Sequence, residues 1–294
     1  MKAIVLALLV GLSLGRVAVA DSKVPADAPT VKLVSAGKDA KAPLRFTAKK
    51  GMKKALTTTM TRGIAMQMGA NAAPTQKIPP IQMVVDLKVT DVTAEGDIRY
   101  EFVLRQPTVI AKGADKMVVD AMKEAVKGMA GLNGYAVVTN RGFTKEADVA
   151  VPATANQQTR QLVESLKQSM TQIAAPVPEE AVGVGAKWDT STTISQNGLT
   201  IVQTATNELT SLKGNKASLK ITIKQSAKPQ KITTNGVTVD LESYSGAGGG
   251  TTDLDLAGLV PSKAAMKMAS DMKMSAGGQK IGMKLDVDMT MTGK

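Results

Sequence analysis

Apolar and polar residues alternate with period two along most of the chain. Ile81, Met83, Val85, Leu87 and Val89 share one parity, while Gln82, Asp86, Lys88 and Thr90 lie mainly on the other, with Val84. Ile98, Tyr100, Phe102 and Leu104 alternate with Arg99, Glu101, Val103 and Arg105. Ala94-Glu95-Gly96-Asp97 separates these runs with turn-forming residues, so the spacing predicts a hairpin. Ala217, Leu219, Ile221 and Ile223 alternate with lysines and hydroxyl residues. In the last run, Ile281, Met283, Leu285, Val287, Met289 and Met291 face one way, and Lys284, Asp286, Asp288, Thr290 and Thr292 the other. Before it, Met266, Met268, Met272 and Met274 alternate with Lys267, Ala269, Asp271 and Lys273, and Gly277-Gly278 turns the chain between the two. One apolar face and one wet face is the signature of antiparallel sheet.

Two segments depart from this period. In residues 115–131, Val118, Met122, Ala125, Val126 and Met129 recur at helical spacing. In residues 155–173, Leu162, Leu166, Met170 and Ile173 form a second helical stripe, with Thr154 as N-cap and Pro176 and Pro178 ending it. A short hairpin around Asn140-Arg141-Gly142 is expected between them. A weak internal repeat aligns Gly51-Met52-Lys53-Lys54 and Thr57 to Met60 on Gly185-Ala186-Lys187-Trp188 and Ser191 to Ile194. Its first copy carries an extra Ala/Pro-rich loop near residues 71–80.

The N-terminus reads as an export signal. Lys2 precedes an apolar run from Ala3 to Leu14, and Ala18-Val19-Ala20 gives the small-x-small cleavage pattern. The run is shorter than the roughly 20 residues a spanning helix needs. The chain therefore divides into a signal peptide (1–20), a flexible Ala/Pro/Lys leader (21–43), a first β-rich half with two helices (44–178) and a second β-rich half (179–294). The expected fold is α+β, mostly antiparallel β, in one or two curved half-barrel sheets with two amphipathic helices packed on the concave side. The expected address is the periplasm or the medium.

Composition narrows the chemistry. Cys and His are both absent, which removes zinc sites, Cys nucleophiles and Ser-His-Asp triads. No cofactor motif is present, and the residue inventory predicts a non-catalytic protein. The net charge is +12, with Lys2 and Arg16 inside the signal segment. The lysines are scattered, and with Phe 3, Tyr 3 and Trp 1 there is little for bases to stack on, so nucleic acid is not an expected partner.

Methionine is over-represented, 17 in all. Its flexible, polarizable side chain suits surfaces that adapt to varied apolar ligands. Met266, Met268, Met272, Met274, Met283 and Met289, with Met122 and Met129 on the first helix, are the candidate ligand-binding residues for a lipid or other amphiphile. The same positions also suit a sheet core filled by Met in place of aromatics, and the protein would then be a structural or interaction module with an envelope protein as partner. Three carboxylate pairs are weaker candidates. Asp253 and Asp255 beside the glycine run 246–250 suggest Ca²⁺ or a plain strand; Asp286 with Asp288, and Glu179 with Glu180, suggest acid–base pairs or solvated carboxylates. Trp188, the sole tryptophan, reads as a packing anchor.

The segment from Pro176 to Trp188, P-V-P-E-E-A-V-G-V-G-A-K-W, resembles a recurrent element of an uncharacterised family of bacterial secreted proteins. There a proline-rich stretch and a G-x-x-W strand start divide two similar β-rich halves. That resemblance implies no activity and no functional residues. At fold level the mix of strands and helices is also similar to envelope lipoprotein carriers of the LolA and LppX type, which implies a strongly curved sheet wrapped on helices around an apolar cavity. This sequence departs from them in lacking an aromatic-rich lining.

Overall fold

The computed structural model describes residues 28–68, 71–72, 74–151, 160, 163, 176–196, 198–234 and 237–294; the expected signal peptide lies outside them. The first part of the chain supplies β1 (Thr30–Ser35), β2 (Lys53–Met68), β3 (Asn71–Ala72), β4 (Gln76–Val92), β5 (Ile98–Leu104), β6 (Thr108–Val109), helix α1 (Lys116–Lys127), β7 (Asn133–Val138) and β8 (Thr144–Val149). The second supplies β9 (Lys187–Gln196), β10 (Leu199–Lys213), β11 (Lys216–Ala227), β12 (Gln230–Thr234), β13 (Val237–Asp255), β14 (Pro261–Ala276) and β15 (Gln279–Gly293).

All fifteen strands form one antiparallel sheet in the order β1-β9-β10-β11-β13-β14-β15-β2-β4-β5-β7-β8, with β12 on β13, β3 on β2 and β6 on β4. The sheet is open, its edges being β1 and β8. This corrects the expected one or two half-barrel sheets with two helices. The two halves are joined because β15 pairs with β2 along its length, from Ile281↔Met68 to Gly293↔Leu56. Among the described residues there is one short helix. Asp115 caps it, accepting from the N–H of Met117 at 2.8 Å and of Val118 at 3.3 Å. The second expected helix, over 155–173, falls outside the described residues apart from Arg160 and Val163. Regular structure also begins before Leu44. β1 lies inside the stretch expected to be a flexible leader, because Val31 and Leu33 pack against a buried cluster while the strand pairs with β9.

Every buried cluster sits on the same face of the sheet, as the register shows. Gly250 faces both Ile221 and Met266, Ile221 faces Asn207, and Asn207 faces Trp188, which carries that face from β14 to β9. Met266 faces Met289, Met289 faces Met60, and Met60 faces Ile81, which carries it on to β4. One end of this inner face is closed by Leu44, Val177, Val182, Ala186, Trp188 and Leu209. The other is closed by Leu87, Phe102, Leu104, Leu132, Val149 and Val163, with Val109, Val119 and Val126 where α1 crosses β6.

The segment 176–188 is a belt anchored by buried residues. Pro176, Val177, Pro178 and Val182 are fully buried. Arg45 donates to the carbonyl of Pro178 at 3.0 Å and of Glu179 at 2.7 Å, while Arg141 donates to that of Val177 at 3.3 Å. Burial, and then the neighbouring Arg141 charge, push the Arg45 pKa down against the pull of Glu179 and Glu180.

The turns that open β2 and β9 are built alike. Gly51 donates to the Val89 carbonyl and receives Val89 N–H on Met52, each at 2.9 Å. Gly185 donates to the Leu209 carbonyl at 2.7 Å and receives Leu209 N–H on Ala186 at 2.9 Å. Both glycines have positive φ, +86° and +85°.

Candidate functional site

Between the two closed ends, the inner face of β13, β14, β15 and β2 carries methionine in four of five cross-strand rungs. Met68, Ile281, Met274 and Leu241 form one rung; Met66, Met283, Met272 and Tyr244 form the next. Ile64, Leu285, Ser270 and Gly246 follow, then Arg62, Val287, Met268 and Gly248, then Met60, Met289, Met266 and Gly250. These methionines belong to none of the buried clusters among the described residues. Met66 and Met68 are 46 % and 57 % exposed, and Met266, Met268, Met272, Met274, Met283 and Met289 are half-buried.

Glycine shapes the floor of this face. A Cβ on Gly250 would stand 2.8 Å from the Met266 sulfur, and one on Gly248 would stand 2.9 Å from Cγ of Met268. The methionines of β14 therefore lean over a β13 that has no side chains there. Beyond β13 the face carries Ile221 and Ile223 on β11 and a polar row at one end. Tyr244 donates to Gln225 at 2.6 Å, and Gln225 donates to Gln203 at 2.7 Å, a ladder across β13, β11 and β10. Burial pushes the Tyr244 phenol up. The opposite face of the same strands is wet, with Lys267–Asp288 at 3.6 Å and Lys284–Asp271 at 3.9 Å. Such exposed pairs contribute roughly 0–1 kcal/mol each, so they hold the face in water rather than hold the fold together.

Of the eight candidate methionines, six come together here. Met122 and Met129 sit on and just after α1, against Val109, Val119 and Val126, and Met129 also packs on the cluster of Leu87, Phe102 and Leu104. β2 adds Met60, Met66 and Met68, which are not among the expected site residues. Its signal was the parity Met60, Arg62, Ile64, Met66, Met68.

Asp253, Asp255, Asp288 and Glu179 have structural partners. Ser218 donates to Asp253 at 2.7 Å. Lys216 bonds Asp255 at 2.6 Å, which holds that carboxyl below the ordinary carboxylate range against partial burial, helped by the Ala257 N–H. Asp286 and Asp288 lie on the wet face, and Glu179 pairs with Arg141 at 3.5 Å. No group of three His, Cys, Asp or Glu suited to a metal occurs among the described residues. Trp188 is 1 % exposed in the belt cluster, and its indole N–H has no acceptor among the described residues. A depression of about 570 Å³ opens on the wet face over Ala55, where Lys53, Lys88 and Lys294 gather near Asp86, which holds Arg105 at 2.6 and 2.7 Å. No helix among the described residues is long and apolar enough to cross a membrane.

Fold and face together define an open antiparallel-sheet protein with an apolar strip uncovered among the described residues. Residues 113–260 match the model of a family of unknown function (DUF6263), and the chain belongs to that family. The matched span runs from the loop before α1 through the belt and Trp188 to β13. No curated protein matches the chain, and no likeness to the LolA carriers emerges.

Proposed function

We propose that this is an exported, non-catalytic protein that binds the apolar chains of a cell-envelope amphiphile on the methionine face. One observation carries the reading: the face is continuous in register across four strands, yet no buried cluster of the described residues includes it. From Met60 to Met68 the strand advances eight residues, about 26 Å at ~3.3 Å per residue. One leaflet of a bilayer core is about 15 Å thick, so an acyl chain fits along the strip with length to spare. Methionine side chains adapt to such chains without a fixed shape. The signal-like N-terminus supplies the route to the envelope.

The test is lipid mass spectrometry on protein taken natively from its producing cells, paired with uptake of a fluorescent fatty acid. Co-purifying lipid, and uptake reduced by Met66→Asp and Met283→Lys, are expected. Protein that emerges lipid-free and takes up no fatty acid refutes the reading. A second reading, an interaction module working through the open edges, draws on β1 and β8. Both are six residues long and carry charges such as Lys32, Glu146 and Asp148, the usual guard against strand addition. A stoichiometric protein partner in an envelope pull-down would favour it.

A further inference from the structure

The chain has 17 Met but no Cys and no His, so thioether sulfur is its soft donor. The register brings three of these methionines side by side. Met283 lies directly opposite Met66 on one neighbour and Met272 on the other. Directly opposed Cβ atoms are about 5 Å apart, and the three rotatable bonds of each methionine let both outer side chains lean over the central strand. The next rung outward adds Met68 and Met274 beside Ile281; the next inward holds Ile64, Leu285 and Ser270. Neither rung carries a charge. Lys284 and Asp271 point to the other face and pair with each other. Met66, 46 % exposed, leaves the group open to solvent. In the similar row Met60, Met289 and Met266, the Arg62 guanidinium lies on the Met60 sulfur, at 3.0 and 3.1 Å, and places a positive charge where a cation would bind.

We propose that Met66, Met283 and Met272 form a three-thioether site for the soft monovalent cation Cu(I). Thioethers select Cu(I) over harder ions, and three of them in a row supply a trigonal donor set without any charged ligand. The site lies within the face proposed for the amphiphile, and its test reads Cu(I) alone. Leucine at these positions keeps the face apolar and close in volume but removes the sulfur.

The experiment is an anaerobic titration of the purified protein against the coloured Cu(I)–bicinchoninate complex. The wild type should take one equivalent. The triple variant Met66→Leu, Met272→Leu, Met283→Leu should bind at least tenfold more weakly, while Met117→Leu, a change at a 79 % exposed position on α1, should bind as the wild type does. X-ray absorption on the loaded wild type should show a sulfur-only shell. Circular dichroism confirms that the triple variant is folded. No transfer of Cu(I) to the wild type, equal affinity in the triple variant, or nitrogen and oxygen in the shell would each overturn the proposal.

Discussion

Gly183 backs onto the carbonyl oxygen of Lys38, so closely that a Cβ on Gly183 would collide with it. The contact is reciprocal: Gly37, at φ +75°, lies against the Gly183 carbonyl. Around it, Lys38 donates to Val184 at 2.9 Å and Ala42 exchanges backbone hydrogen bonds with Val182 at 3.0 Å. Two glycines thus let the segment after β1 lie flat on the belt. Gly183→Ala should force these backbones apart and cost about 1–3 kcal/mol, the usual range for overpacking. Urea unfolding checks this: the midpoint should fall while the slope stays constant. An unchanged midpoint would mean that the belt is not seated as described.

Trp188 anchors the same belt, packed with Leu44, Val182 and Leu209. As the sole tryptophan, it reports directly on that cluster. Native emission should be blue-shifted and resistant to iodide, and both properties should vanish in a single unfolding transition. Trp188→Ala should cost about 3–5 kcal/mol. Trp188→Phe should cost much less, because losing the unpartnered indole N–H relieves a buried-donor penalty of about 1–3 kcal/mol. Iodide quenching of the native protein would place Trp188 at the surface and refute the packing.

What the sequence made legible follows distance along the chain. The β14–β15 hairpin was readable, since Gly277 and Gly278 supply adjacent positive-φ turn positions between two clean period-two runs. The pairing of β15 with β2 was not, because alternation says which face a residue takes but not which distant strand lies beside it. That one pairing merges the expected halves into one sheet and adds Met60, Met66 and Met68 to the site. Pro79 and Pro80 misled locally. They read as a loop, yet β4 runs through them, with the register shift between Met60 and Arg62 absorbing an extra residue where proline cannot donate.

The paired turns at Gly51 and Gly185 make a symmetric prediction. Neither glycine has an atom within 4 Å of a would-be Cβ, so alanine there meets only the backbone strain of positive φ. Each of Gly51→Ala and Gly185→Ala should cost about 1–2 kcal/mol, and asparagine, which tolerates this conformation, should recover part of it. Equal losses in urea unfolding would show that the turns are interchangeable in energy as well as in hydrogen bonding. A loss confined to one of them would show that they are not.

The pH profile should have a flat middle and two sloping ends. With no histidine, no side chain of ordinary pKa titrates between about pH 5 and 8. At the acid end, the hydrogen bond from Lys216 holds Asp255 below the ordinary value, and that from Arg105 does the same for Asp86, each against some burial. A folded-state pKa below the unfolded one stabilises the fold above the unfolded value, about 3.9, and that contribution fades as pH falls through the folded value. Stability should therefore decline below about pH 4. The Lys216→Met variant should show a plateau lower by roughly 0.5–1 kcal/mol, since Asp255 is only partly shielded, and a shallower acid limb. At the alkaline end, burial raises the Tyr100 pKa. A raised pKa stabilises the fold below about pH 10, and that contribution is lost as the phenol is forced to ionise above it. Thermal melts from pH 2.5 to 11 measure the whole curve. A step between pH 5 and 8 would contradict this assignment, because none of the groups named here changes charge in that window.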